Sequence, residues 1–268
     1  MKILSINPLT SLPTNFIKIN QQQKRFANTT CPFSSAKKIK QKDNNNNSIV
    51  TSIESVSSFY PSRYIDKYIS YKVIKNAVKT NPNITKILNE HGLTPRISRK
   101  NIDEKAKMHM FSAYMYAKDI AKTIKMKPEK ANILYQAALL HDIGKALIPE
   151  RIVQKPGELT KEEREIINLH AELGYEILKT TDVPEEVAKL VKAHHESRDN
   201  KLKDITSMIL SVVDVFSALK EKRVYKPAMK DKEAFEIMAS SEKLSPIFVH
   251  VLRGSQHKKA EKEKNNKE

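Results

Sequence analysis

The chain has 268 residues, 29% of them charged, and a formal net charge of +17, a length that can bury a sizeable core. It holds only five glycines, one cysteine (Cys31) and no tryptophan, which excludes a glycine-rich phosphate loop, an internal disulfide and a cysteine-based zinc knuckle. No uncharged apolar run approaches the ~18 residues of a membrane span, and Ser5, Asn7 and Pro8 interrupt any secretory signal at once, so the chain reads as cytoplasmic with no membrane partner.

Residues 1–58 are rich in Asn, Gln, Ser and Lys, with Asp43 the only acid before residue 51. Such a stretch cannot bury enough apolar surface to offset its ordering entropy, so a disordered basic leader is expected. Lysine rather than arginine enrichment sets it apart from an organelle transit peptide. Residues 1–105 carry 18 Lys/Arg against 6 Asp/Glu, whereas 106–220 carry 18 against 17. The excess is therefore a solvated basic surface without an aromatic platform, and no specific nucleic-acid binding is expected.

A helical lead-in follows over 59–99. Amphipathic spacing runs from Tyr64 to Val78, and a shorter piece from Asn83 to Asn89 ends at His91-Gly92. A long helix is predicted from Ile102 to Ile124, and Pro128 opens another that runs through Leu140. Thr160 and Glu163 make a capping box for the helix that carries His170. Pro184 and Asp204 open the next two helices, and Asp231–Ala239 and Pro246–Leu252 complete the set. No segment alternates like a strand. The fold class is all-α, a helical bundle with its chemistry in a domain over 100–255, and 256–268 form a charged tail.

Polar residues stand where apolar ones are expected. Asp214 lies in MILSVVDVFSAL, where nine of twelve residues are apolar, and a buried carboxylate needs a partner or a metal. His141-Asp142 ends an apolar helix. His109, His170, His194 and His195 fall on inward stripes by their i+3, i+4 and i+7 spacing. One such histidine is ordinary core; five, with two aspartates, imply a shared cation. Imidazole and carboxylate without thiolate suit iron, manganese, zinc or nickel, and Asp142 can bridge two metals while His141 binds one.

The stretch LLHDIGKALIPERIVQKPGELTKEEREIINLH, followed by GYEILK, AHHE and VVDVFSALKEKRVYKPAM, closely resembles the HD-GYP branch of the HD phosphohydrolase superfamily over about residues 100–252. The resemblance implies an HD-domain helical bundle whose metal ligands are His109, His141, Asp142, His170, His194, His195 and Asp214. It also implies a phosphate-binding Lys145 and substrate contacts from Arg223 and Lys226. Two sequence features depart from the branch. From Glu196 to Val213 there is no glycine, tyrosine or proline, so the Gly-Tyr-Pro loop is missing, and Gly174-Tyr175 belongs to a helix instead. Some members with a third metal have a Glu one turn before the first histidine; here that residue is Lys105, which favours two metals.

The activity so implied is a metal-dependent phosphodiesterase. It would hydrolyse a phosphodiester such as cyclic di-GMP by a hydroxide bridging two divalent transition metals, iron or manganese first, with Asp142 and Lys145 catalytic. Two other readings stay open: a phosphohydrolase acting on another nucleotide or a phosphomonoester, and a non-catalytic signalling or binding module on the same scaffold. The sequence does not define an oligomeric state.

Overall fold

The structure is a computed structural model that describes residues 61–195, 204–221 and 228–266; the leader expected over 1–58 lies outside them. Among the described residues every regular element is helical. In chain order they are α1 (Pro61–Tyr68), α2 (Tyr71–Thr80), α3 (Pro82–Glu90), α4 (Glu104–Thr123), α5 (Pro128–Leu140), α6 (Glu150–Val153), α7 (Lys161–Leu178), α8 (Glu185–Ala193), α9 (Ile205–Lys220), α10 (Asp231–Ala239) and α11 (Pro246–Asn265). Short 3₁₀ turns at Lys100–Ile102 and Ile143–Leu147 precede α4 and follow α5.

Local chemistry sets most of these boundaries. Asp103 caps α4 by accepting from the Ala106 N–H. The capping box at Thr160 and Glu163 is present in both directions, and the Asp204 carboxylate accepts from the Ile205 N–H at the start of α9. Helix α4 ends in a Schellman arrangement: Met126 N–H bonds the Ala121 carbonyl and Lys125 N–H the Lys122 carbonyl, with Lys125 left-handed at φ 51°. Two boundaries differ from the sequence pattern. The amphipathic stretch from Tyr64 to Val78 is two helices, because extended Ser70 restarts the chain and its hydroxyl accepts from Val73 N–H. The last helix continues past Leu252 to Asn265, where Gln256 and Lys259 reach back to Asp119 on α4.

Helix α5 forms the middle of the bundle and packs against α1, α4, α8 and α9. Its Leu134, Ala137, Ala138, Leu139 and Leu140 are all fully buried, and each leucine contributes about 1.5–3 kcal/mol by burial. The lead-in helices belong to the same core: Ile74, Ala77, Ile84 and Leu88 are inaccessible to solvent. Their polar groups are tied down as well. The Tyr64 hydroxyl donates to Gln136 on α5 at 2.7 Å, and Asn81, which caps α3, donates to Glu176 on α7 at 2.7 Å.

The turn after α5 presses on α7 with no side chain between them. A Cβ on Gly144 would collide with the His170 carbonyl oxygen and stand 2.6 Å from the Gly174 nitrogen. Gly144 is thus required by close approach of two backbones. We expect Gly144→Ala to destabilise the fold by more than the usual ~1–3 kcal/mol of an overpacked site, read as a drop in thermal midpoint; an unchanged midpoint would show that the turn can move.

Glu176 gives a pH-dependent test of the lead-in contact. Burial opposes its ionisation, but hydrogen bonds from Asn81 and Asn83 and the nearby Lys179 outweigh it and hold its pKa below the usual range. A depressed carboxylate pKa contributes stability above the unfolded-state value, and that stability is lost as pH falls through the folded-state value. Glu176→Ala should therefore cost about 1–3 kcal/mol at neutral pH, and the gap to wild type should narrow below about pH 4 in urea titrations.

Candidate metal centre

Five segments bring the centre together. His109 projects from α4, and His141 and Asp142 sit at the end of α5, where the helix hands over to the 3₁₀ turn. His170 lies on α7, beside the Gly144 contact. His194 is the C-cap of α8, with His195 directly after it, and Asp214 comes from α9. Helix α9 also holds the end of α8, because Ser207 donates to the Ala193 carbonyl and Ser211 to the His194 carbonyl. These hydroxyls satisfy helix-end acceptors that would otherwise lack partners in the core.

Seven side chains expected from the sequence meet here as two clusters and a link between them. His170, His194 and His195 form one cluster, and His109, His141 and Asp214 the other; within each, one potential ligand atom per residue lies within 4.8 Å of the rest. Asp142 stands between them. Its Oδ1 is 3.4 Å from His170 Nε2, and its Oδ2 is 3.6 Å from both His109 Nε2 and His141 Nε2.

The hydrogen bonds fix which nitrogen is free. Nδ1 of His141, His170 and His194 each donates to the main-chain carbonyl three residues back, at Ala138, Ile167 and Val191. In the neutral ring the proton is then on Nδ1, and Nε2 presents only a lone pair. His170 Nε2 nevertheless lies 3.2 Å from His194 Nε2 and 3.1 Å from His195 Nε2. Burial, reinforced by Lys145, pushes the pKa of His170 down to about 3. Burial and the neighbouring histidines likewise push His194 well below the ordinary value. Neutral rings with converging lone pairs repel each other unless a cation lies between them, so this donor set fits a metal.

The second cluster has the complementary need. Burial opposes charge on His141, but Asp142 and Asp214 outweigh it and raise its pKa. Its fully buried Nε2 has no hydrogen-bond partner among the described residues and faces Asp214 at 3.3 Å. Both aspartates are held well below the usual carboxylate range despite burial, Asp142 by Lys145 and the histidines, Asp214 by the hydrogen bond from His109 and by the charge of His141 and His109. Two ionised carboxylates beside buried imidazole nitrogens call for positive charge between them.

Lys145 places its ammonium 2.7 Å from Asp142 Oδ2, three residues along the same turn, and its side chain is 24% exposed. It lines a cleft of about 370 Å³ with His109, Asp142, Asp214, Asn101 and Glu221. Arg223 and Lys226 lie outside the described residues, as does the shortened loop expected over Ser197–Lys203. Two participants were not evident in the sequence. Asn101, 2% exposed, donates its amide to the carbonyls of Lys145 and Ile148 and so clamps the turn that carries the lysine; nothing in the sequence pattern marks it. Glu221 lies seven residues after Asp214, at the C-cap of α9, and the two-turn interval was the available signal.

A family model described as "HD domain" matches residues 93–245, more than half of the chain. Among curated proteins, a cyclic di-GMP phosphodiesterase of Thermotoga maritima is 41% identical over 129 residues, 43% of this chain and 35% of that protein. A 3'3'-cGAMP-specific phosphodiesterase of Vibrio cholerae is 34% identical over 157 residues, 54% and 30% of the two chains. A cyclic di-GMP phosphodiesterase response regulator of Xanthomonas campestris is 32% identical over 120 residues, 41% and 32%. The chain spans about a third of the length of these relatives. With the HD pair at His141-Asp142 and the bundle around it, the chain belongs to the HD-domain family and is consistent with its HD-GYP-type branch.

Proposed function

We propose that this chain is a metal-dependent phosphodiesterase acting on a cyclic dinucleotide such as cyclic di-GMP, at a centre built for two divalent transition metals. The observation that carries this reading is Asp142, which turns one carboxylate oxygen towards each cluster. A carboxylate so placed can tie two cations at the short separation that phosphoryl chemistry uses. HD-domain phosphohydrolases are metal-dependent, and the curated relatives are named as cyclic dinucleotide phosphodiesterases. No described helix is long and apolar enough to cross a membrane; we assign the chain to the cytoplasm on its single Cys31.

In this reading His109, His141 and Asp214 would hold one metal and His170, His194 and His195 the other, with Asp142 available to both. Iron or manganese is the first expectation for a donor set of imidazole and carboxylate, with zinc or nickel next. Bound there, the metals supply Lewis acidity and an acidified water. The protein supplies the rest. The main-chain carbonyls orient three imidazoles, and the buried walls keep His170 and His194 neutral. Lys145, already at the cleft, turns from Asp142 towards a non-bridging phosphate oxygen and offsets its charge, as positioning and charge stabilisation govern phosphoryl transfer. Arg223 and Lys226 hold the remainder of the substrate.

Metal analysis of anaerobically purified full-length protein should find about two transition-metal ions per chain. Asp142→Ala should lose both, and His170→Ala should mainly empty one. A folded, metal-supplemented protein without metal would leave the signalling-module reading in place of the enzyme.

Kinetics should separate chemistry from recognition. The segment between His195 and Asp214 has 18 residues and none of the Gly, Tyr or Pro of the family loop, so it should grip a large substrate less firmly. An interaction that acts equally on ground and transition state lowers KM, and its absence raises KM while sparing turnover. A small generic phosphodiester should therefore still be hydrolysed, with weak preference for cyclic di-GMP over the linear dinucleotide. Lys145→Ala should lower turnover on both substrates, and Arg223→Ala should hurt the dinucleotide more. Sub-micromolar KM with strong selectivity would rule out this account of the loop, and turnover confined to a phosphomonoester would replace the substrate class.

A further inference from the structure

His109 differs from three other histidines of the centre in one respect. Nδ1 of His141, His170 and His194 donates to a main-chain carbonyl. His109, inside α4, makes no such bond. Its Nδ1 is buried and has no hydrogen-bond partner among the described residues, while its Nε2 faces Asp214 at 3.1 Å. A histidine that offers Nε2 to a metal must carry its proton on Nδ1, and that proton needs an acceptor to hold the ring in place.

A carboxylate is at hand. Glu221 Oε2 lies 3.9 Å from His109 Nδ1, and its other oxygen is 3.4 Å from the Lys105 ammonium. Both charged residues line the cleft. Lys105 is one helical turn before His109 on α4, and Glu221 follows the end of α9, two turns beyond Asp214. One end of α9 thus brings a direct partner of His109 Nε2 and, seven residues on, a charged acceptor to the opposite edge of the same ring. At 3.9 Å the pair is short of a hydrogen bond, and a role as acceptor requires the glutamate side chain to close that gap.

We infer that Glu221 is a positioning residue for His109: its carboxylate accepts the Nδ1 proton, fixes the ring so that Nε2 faces the metal, and is itself steadied by Lys105. The inference rests on the metal reading above. Outer partners of this kind typically change metal affinity by about 10–100-fold, and the effect here should fall on the half of the centre that contains His109.

The test is a competition titration of full-length protein with zinc against a chromophoric chelator, on wild type, Glu221→Ala, Glu221→Gln and Lys105→Met. Glu221→Ala should weaken one of two sites by about 10–100-fold and leave the other as in wild type. Glu221→Gln, whose amide oxygen still accepts, should recover part of the loss, and Lys105→Met should weaken the same site less. Because Glu221 is partly exposed, the thermal midpoint of the metal-free variants should stay near wild type, which a merely structural role would not predict. Long-range ¹H–¹⁵N spectra of zinc-loaded protein provide a second readout. The Nδ1–H signal of His109, assigned by its loss in His109→Gln, should shift and exchange faster in Glu221→Ala. Wild-type affinity at both sites in Glu221→Ala, in a protein whose wild type binds zinc, overturns the inference. Failure of the wild-type chain to bind zinc, manganese and ferrous iron alike overturns the metal reading and the role of Glu221 with it, and the wild-type titrations tell the two apart.

Discussion

Three main-chain carbonyls, those of Ala138, Ile167 and Val191, accept the Nδ1 protons of His141, His170 and His194. Each bond commits a ring to one tautomer and leaves Nε2 as a lone pair aimed into the centre. Burial then keeps His170 and His194 uncharged, so their Nε2 atoms, 3.2 Å apart, have no proton to share. Removing any of these carbonyl bonds would let a ring flip its tautomer and turn a donor inward. The metal-binding character of the centre thus depends on helix ends and helix turns as much as on the identity of the side chains.

The framework serves that geometry. Two of the histidines terminate helices: His141 closes α5 and His194 closes α8. The Asp142 side chain is then presented by a tight 3₁₀ turn, whose approach to α7 requires Gly144 to have no side chain. Asn101 secures the far side of the turn through two carbonyls. The dense apolar face of α5 supplies the energy that holds these polar elements in place, since ordering so many ionisable groups in a dry interior is unfavourable by itself.

Much of this was legible in the residues. The capping residues Thr160 and Asp204 carry their own hydrogen-bond logic, and the spacing of apolar residues put His109, His170 and Asp214 on inward faces. The HD pair and its flanking motifs then brought in the rest of the expected ligands. What escaped is non-local or finely balanced. Ser70 splits an amphipathic run by one cap, a choice that periodicity cannot register. Helix α11 continues to Asn265 although its sequence is strongly charged there, because Asp119 on α4 provides a partner for Gln256 and Lys259. Asn101 and Glu221 matter through interactions made across the fold, and sequence spacing alone gives no acceptor for a particular imidazole proton.

Helix α9 has a mechanical consequence for the centre. It contributes Asp214 to one cluster and, through Ser207 and Ser211, grips the end of the helix that carries His194 in the other. One ligand of each cluster is therefore anchored to the same rod. A tilt of α9 would shift Asp214 and His194 in the same direction, while the clamped turn that bears Asp142 stays with α7 as the fixed reference between them.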